Sequence, residues 1–565
     1  MRQWMVAAKK ADFYAIAEKF HVDPVVARII RNREVIGEKN IRIYLGGNLS
    51  DLSDPHQMKD MDRLVEILAQ KIRKQAHIRI IGDYDVDGVT SSHLFLTALR
   101  RVGAKVDVVI PHRIQDGYGL SLHLLQQAKE DGVDTILTCD NGIAAIDEIA
   151  WAKAQKMTVL VTDHHAVPFE EHEGRRTEKK SLADAVVNPH QQDCGYPYKE
   201  LCGAGVAWNV IRVLYENYDM DKREAEDLLD FVAMATVCDV MSLTGENRIL
   251  VKEGLKRIRH TKNIGLQALM QACNVQPENI SAYHFGYVLG PCVNATGRLD
   301  TARHALRLFE TGQETEAEEI ARDLVDLNQE RKELTLQGVE MAKKLCEEGG
   351  YENDPVLVLF LPDVHESIAG LIAGRIREMY NRPVFVLTRG EEGVKGSGRS
   401  TENYSMYENM CGCAELFTKF GGHPMAAGLS LPEENVEKFR RKINENCPLT
   451  VEEVCPDIHI DMAMPVGYAS TELVHQFALL EPFGKDNPSP LFADRNLSIS
   501  RMWLIGKNRN VLRMSVLSEY GQPVPVIFFG DVETLFAYFT EKFGQEEVEN
   551  ALHGRKNRIL FSMVY

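Results

Sequence analysis

Between residues 76 and 245, short apolar runs alternate with segments whose apolar positions recur every three to four residues. Ile78 to Ile81, Thr135 to Cys139 and Met157 to Thr162 are short and mostly apolar, which predicts buried parallel strands. Thr90 to Val102, Leu122 to Asp131 and Ala144 to Gln155 predict helices between and beyond them, so this span reads as a doubly wound α/β sheet. Residues 1–75 predict a helical lead-in. Arg248 to Phe309 predicts mostly helix, with a turn-rich insert from Leu289 to Asp300. Glu314 to Glu348 contains no proline, and Ala317, Ile320, Leu324 and Leu327 recur at helical spacing, which predicts one long connecting helix. A second α/β unit begins at Pro355 to Leu361 and runs to about Cys447. The last hundred or so residues carry short β-like runs, Leu497 to Ile505, Val511 to Leu517 and Val524 to Phe529. The expected divisions are therefore 1–75, 76–245, 246–350, 351–450 and 455–565.

The most informative residues stand just past the end of each predicted strand. Ile81 runs into Gly82-Asp83-Tyr84-Asp85-Val86-Asp87-Gly88, Cys139 into Asp140-Asn141-Gly142, and Thr162 into Asp163-His164-His165. Open α/β sheets bind ligands at the carboxyl ends of their strands. A single Asp/Gly-rich turn is an ordinary surface feature, but a fourth carboxylate, Asp239, comes after the apolar segment Leu228 to Val237. Four segments thus converge on carboxylate and imidazole groups, whose like charges need a cation. Oxygen-rich ligation with one imidazole suits Mn²⁺ or Mg²⁺ better than Zn²⁺. There are carboxylates enough for two ions, an arrangement that serves phosphodiester hydrolysis.

Bulk properties narrow this picture. A chain of 565 residues with 44% hydrophobic and 26% charged residues fits a soluble protein of three or four domains. No apolar stretch is long enough to span a membrane, there is no signal-peptide pattern, and the eleven cysteines show neither zinc nor disulfide spacing, so the expected location is cytoplasmic. The net charge of −17 argues against broad coating of nucleic acid but leaves room for a localised groove.

The three strand-end segments resemble the first three motifs of the DHH phosphoesterase superfamily, and Asp239 sits where its fourth would fall. Asn294-Ala-Thr-Gly-Arg-Leu299, Lys395-Gly-Ser-Gly-Arg-Ser400 and Gly421-Gly-His-Pro-Met-Ala-Ala-Gly428 resemble motifs of the companion domain in the DHH-DHHA1 branch. Asp54 to Asp62 and the chain length point, within that branch, to a single-strand-specific exonuclease. The resemblance implies a DHH catalytic domain, a DHHA1 substrate-binding domain and a C-terminal OB-type β-barrel. It implies that Asp83, Asp85, Asp140, His164 and Asp239 hold the metal pair, with Asp140 bridging, and that His165 faces the substrate phosphate or leaving oxygen. Asp163 joins His165 among the catalytic candidates. Asp87 is a further candidate, as a ligand, a supporting hydrogen-bond partner or a helix cap.

Arg399 and Ser397 lie in what reads as a glycine-rich loop, where a guanidinium fork and a hydroxyl suit a phosphate. Arg298 and His423 stand in similar surroundings, and Tyr118 is placed to stack a base. The terminal region departs from the family pattern, with Asp486 replacing a glycine in Pro482 to Pro488 and a basic strand thinned to Lys507, Arg509 and Arg513. Trp503, Phe528 and Phe529 there are either core or base-stacking residues. The implied activity is removal of mononucleotides from the 5′ end of single-stranded DNA in recombination and repair. Single-stranded DNA is the implied partner, with a single-strand-binding protein and a helicase as candidate companions. A phosphodiesterase acting on short oligonucleotides or cyclic dinucleotides, and a non-catalytic replication scaffold, are the competing readings.

Overall fold

The computed structural model describes residues 4–112, 116, 119–172, 175–299, 301–390, 393–506, 511–518 and 521–565. The chain forms two compact units, one of residues 46–456 with 482–487, the other of residues up to 45 with 457–481 and 488–565.

The larger unit is built on the predicted parallel sheet. Its strands are β1 (Ile78–Ile81), β2 (Val106–Val109), β3 (Thr135–Cys139), β4 (Thr158–Thr162) and β5 (Ala185–Val187), in the order β2-β1-β3-β4-β5, all parallel. The chain leaves β1 to one side for β2 and returns to the other for β3, so the crevice between β1 and β3 is a topological switch point. Strands β2 and β5 escaped the sequence reading because each is a brief stretch at an edge of the sheet.

Helix α1 (Val86–Arg101) follows β1, starting four residues before its expected Thr90 because Asp85 caps it. Helices α2 (Gly203–Asn217) and α3 (Leu229–Cys238) pack with α1, and buried residues surround α1 and α3 on nearly every side. Such enclosure leaves no amphipathic period to read.

Helix α4 (Gly290–Leu299) replaces the turn-rich insert expected from Leu289 to Asp300. Gly297 lets it pass close to the first metal-motif turn, since a Cβ there would sit 2.5 Å from the Tyr84 carbonyl oxygen. The glycine that suggested a loop is a packing device. Helix α5 (Glu314–Glu348) is the long connector, with the predicted ends.

The second sheet comprises β6 (Leu357–Phe360), β7 (Val384–Gly390), β8 (Gly393–Arg399), β9 (Lys419–His423) and β10 (Ala426–Leu431), ordered β9-β10-β8-β7-β6. Only β6 and β7 are parallel, with helix α6 (Glu366–Tyr380) between them. Ser397, Arg399 and His423 therefore lie on strands and not in loops. Gly396 and Gly398 make room for neighbouring side chains, as a Cβ would lie 2.4 Å from Leu387 Cδ2 and 2.3 Å from Met406 Sδ respectively.

In the smaller unit, Trp4–Val6 pairs in parallel with Ile458–Ile460, which gives the expected helical lead-in a strand. A curled five-stranded sheet holds Met462–Ala463, Phe492–Ile505, Val511–Leu517, Pro523–Phe528 and Leu560–Val564. The long strand Phe492–Ile505 bends at a register shift between Ile499 and Arg501, the usual device for curling a sheet. Its inner face packs Leu497, Ile499 and Met502 with Phe539 and Ala551 of the following helices. This is the OB domain as a half-barrel. Among the described residues no helix is long and apolar enough to cross a membrane.

Candidate metal centre and adjoining cleft

The carboxyl ends of β1, β3 and β4 and the C-terminus of α3 bring the predicted acidic and imidazole groups into one buried cluster. Ligand atoms of Asp83, Asp85 and Asp140 lie within 4.8 Å of one another. The same holds for Asp140, His164 and His165, and for Asp87, His164 and Asp239. Asp140 and His164 each belong to two of these groups. His164 Nε2 is 3.0 Å from Asp140 Oδ1, 3.6 Å from Asp239 Oδ2 and 3.7 Å from Asp87 Oδ2.

Local sequence explains the placement. Asp140 turns the chain off β3 with a left-handed φ of +61°, which Asp tolerates better than most residues. Gly203, at the start of α2, leans against it, and a Cβ there would stand 2.6 Å from Asp140 Cβ. Asp85 accepts from Gly88 N–H at 3.0 Å as the cap of α1. Asp239 ends α3 and keeps a quarter of its side chain (26%) exposed, which marks the open side of the cluster.

Two carboxylates are committed to N–H donors. Asp87 accepts from Gly203 N–H at 2.6 Å and Ala204 N–H at 2.7 Å, so its charge sits on the amino end of α2. Asp163 Oδ1 accepts from the backbone N–H groups of His164 and His165 and from His165 Nδ1 at 2.8 Å, and its Oδ2 accepts from Ile143 N–H. That arrangement turns the His165 ring so that Nε2 faces away from Asp163.

The electrostatics call for a cation. Burial first, then mutual repulsion, pushes the carboxyls of Asp83, Asp140 and Asp239 well above their usual range, and that of Asp85 upward as well. Asp163 goes the other way: burial would raise it, but the hydrogen bond and charge of His165 hold it low. Burial opposes protonation of His165, yet Asp163 and the other carboxylates raise it to about 9. His164, more deeply buried, is lowered. Among the described residues, Asp83 Oδ1 and His164 Nε2 are buried with no hydrogen-bond partner, and both residues belong to the groups above. Buried polar atoms are rarely left so. Hard oxygen donors with imidazole nitrogen fit Mn²⁺ or Mg²⁺.

Next to the cluster, a cleft of about 410 Å³ is lined by Tyr84 from the first domain and by Glu366, Ser367, Lys395, Ser397 and Lys419 from the second. Arg298 Nη1 donates to the Ser367 carbonyl at 2.5 Å and so ties α4 to the first turn of α6. The Arg399 guanidinium lies over Gly370 of α6, 2.9 Å from where a Cβ would stand, and donates to Gly398 O at 2.7 Å. His423 is exposed at the end of β9, beside the lining residues but not among them. Tyr118, Lys507 and Arg509 lie outside the described residues.

In the smaller unit the Trp503 ring carries Arg501 and Arg513 at 5.6 and 5.4 Å, a cation–π pair, and Phe529 is 81% exposed while Phe528 packs on the core. Lys395, Lys419, Glu366 and Ser367 were not singled out from sequence, although Lys395 opens a motif that was. Asn294, whose Oδ1 accepts from Val86 N–H at 3.2 Å, was also missed within its motif. The Gly203-Ala-Gly205 start of α2, which receives Asp87, had a legible signal, glycines opening an apolar helix.

Known proteins carry the same parts in the same order. Residues 77–236 match the DHH family N-terminal domain, 353–447 the DHHA1 domain and 460–557 the RecJ OB domain. The sheet, its carboxylate cluster and the paired second domain thus define a protein of the DHH-DHHA1 class. The single-stranded-DNA-specific exonuclease RecJ of Haemophilus influenzae is 34% identical over 518 residues, 88% of each chain. The chain belongs to the RecJ family. It is 33% identical to RecJ of Bacillus subtilis over 90% of its own length and 63% of that protein's. The crystal structure of Thermus thermophilus RecJ with Mn²⁺ superposes with a TM-score of 0.77 at 27% identity, covering 92% of this chain and 74% of that one. The form with Mg²⁺ gives 0.73 at 26% identity, covering 94% and 73%.

Proposed function

We propose that this chain is a divalent-metal-dependent exonuclease that hydrolyses single-stranded DNA from its 5′ end to mononucleotides, in recombination and repair. The observation that carries the reading is the buried cluster of Asp83, Asp85, Asp140, His164 and Asp239 at the switch point of the sheet, opening beside a lysine-bearing cleft. Family membership and the Mn²⁺ and Mg²⁺ complexes of the Thermus relative support it. The five residues named are the ones that would hold the metal, and Asp140, which belongs to two of the ligand groups, would serve both.

Divalent ions held there would supply Lewis-acid activation of water and offset charge on the departing oxygen. The chain's own residues do the rest. Asp163 fixes His165 through Nδ1, so that Nε2 is turned toward the scissile phosphate as a hydrogen-bonding group. Asp87 holds α2 against the cluster and so fixes the wall beside Asp140. Ser397, Lys395 and the first turn of α6 line the place for the 5′-side phosphates, and Arg298 and Arg399 brace that turn while offering guanidinium N–H groups to the strand. Trp503 and Phe529 provide ring faces for bases. Digestion of 5′- and 3′-end-labelled single strands with Mn²⁺, Mg²⁺ or chelator, resolved on a gel, tests the proposal. Mononucleotide release from the 5′ end only with metal is expected, and undiminished cleavage in excess chelator refutes it.

A further inference from the structure

A second cavity, of about 870 Å³, opens on the other side of the larger unit, lined by the C-terminal half of α1 (His93 to Arg101), the start of α3 (Leu228 to Phe231), and residues 253–264 and 309–312. Its volume is in the range of sites for small organic ligands. The floor is aromatic. His93, Phe231 and Phe309 form a triad with ring centroids 4.4, 5.0 and 5.9 Å apart.

Three residues of the lining each carry a buried polar atom with no hydrogen-bond partner among the described residues: His93 (Nδ1), Arg257 (Nε) and Glu310 (Oε1). His93 is only 6% exposed, and Glu310 Oε1 forms an ion pair with Arg100 Nη1 at 3.7 Å, beyond hydrogen-bond distance. The set offers one fixed donor, one fixed acceptor and one imidazole nitrogen that serves either way. Arg100 and Lys262 bring positive charge to the lining, which also carries the carboxylates of Asp227, Asp230, Glu253 and Glu310. A ring edge bearing both donors and acceptors, with a phosphate beyond it, matches this pattern.

The cavity also touches both rods that carry the metal centre. Helix α1 starts at the Asp85 cap and ends at the cavity roughly 24 Å away, and α3 starts at the cavity and ends at Asp239 roughly 15 Å away. A ligand wedged between their far ends acts on the spacing of Asp85 and Asp239 at their near ends.

We infer that this cavity is an effector site for a nucleoside monophosphate, its base against the His93–Phe231–Phe309 floor and its phosphate toward Lys262 and Arg100. The choice of a nucleoside monophosphate rests on the proposed function, since that reaction releases one, whereas the presence of the site does not.

Calorimetric titration of the full chain with deoxyadenosine 5′-monophosphate in chelator, which disarms the metal centre, is the direct test. Saturable binding is expected, weakened at least about tenfold in Thr97→Trp, which fills the cavity, and in Lys262→Glu at its rim. Deoxyadenosine and inorganic phosphate should each bind at least about tenfold more weakly than the nucleotide. In Mn²⁺ the nucleotide should change the rate of single-strand cleavage at least about twofold in the native chain and leave Thr97→Trp unaffected. Absence of saturable binding, or undiminished affinity in Lys262→Glu and in a Thr97→Trp protein with native circular dichroism, overturns the site. Equal rate effects in the native chain and Thr97→Trp overturn the effector role and place the nucleotide at the metal centre. A chain that binds the nucleotide but cleaves no DNA refutes the proposed function alone.

Discussion

Substituting Asp87 by Asn separates a carboxylate that braces the fold from one that only adds charge to the cluster. Asp87 is 1% exposed and accepts from two backbone N–H groups at the start of α2. Asn keeps one acceptor but points an NH₂ group at the other amide. Losing one charge-assisted bond, weakening the second and stranding a buried donor costs about 3–5 kcal/mol. The same change removes a repulsion. Oxygens of Asp87 and Asp239 come within 4.8 Å, which is about 3.5 kcal/mol at an effective dielectric of ~20. Without metal the two effects nearly cancel. With a cation among the carboxylates the repulsion is already neutralised, and the full cost is exposed. Amide exchange of residues 203–217 in Asp87→Asn should therefore speed up by about a hundredfold or more in saturating Mn²⁺ but by much less in chelator. The urea midpoint should fall in the same order. An equal effect in both conditions, or a larger one in chelator, refutes the reasoning.

Asp140→Ala should nearly abolish cleavage of an end-labelled single strand while its circular dichroism stays native. His164→Ala should lower the metal content of the purified protein, and His165→Ala should lower turnover with metal content kept; equal metal loss in both would mean that the two roles are wrong or shared. Arg399→Ala should weaken binding to a labelled strand and flatten its dependence on salt, read by anisotropy in Ca²⁺, since fewer counterions are released. Burial lowers His93 from 6.5 to about 3, so the neutral ring is favoured in the fold. Its contribution is complete above pH 6.5 and is lost as pH falls toward 3, at about 1.4 kcal/mol per pH unit, and His93→Gln should flatten that slope in urea titrations.

The parts of the fold that were legible are those whose burial is one-sided or complete over a short run. Ile78–Ile81 and Thr135–Cys139 are short, largely apolar runs, fully buried, with Gly or Asp at their ends, and the structure turns there. Glu314–Glu348 showed its period because one face is buried and the other solvated. The edge strand Val106–Val109 alternates in sequence but is only half-buried, so it carried little signal. The glycine-rich motifs misled for a definite reason. Glycine marks turns, but it also marks close approach, and Gly297, Gly396 and Gly398 serve a helix and a strand packed against Tyr84, Leu387 and Met406. Sequence alone does not distinguish the two uses, because the contacting residue is far away in the chain.

The same limit applies within the metal centre. Asp83, Asp85, Asp87, Asp140, Asp163 and Asp239 are chemically identical as letters, and the motifs place all six together. What separates them is how many N–H groups each already satisfies. Asp163 takes four hydrogen bonds and Asp87 takes one on each oxygen from α2, whereas Asp83 keeps a buried oxygen with no partner among the described residues. A carboxylate saturated by N–H donors has little lone-pair density left for a cation, and one held short of donors in a buried place is unstable without it. On that criterion we assign Asp163 and Asp87 to positioning other groups and Asp83 to holding the ion. The donors that make the distinction come from Ile143, Gly203 and Ala204, none of which carries any chemistry of its own. The division of labour among the carboxylates is therefore set by backbone amides that only the folded chain brings within reach.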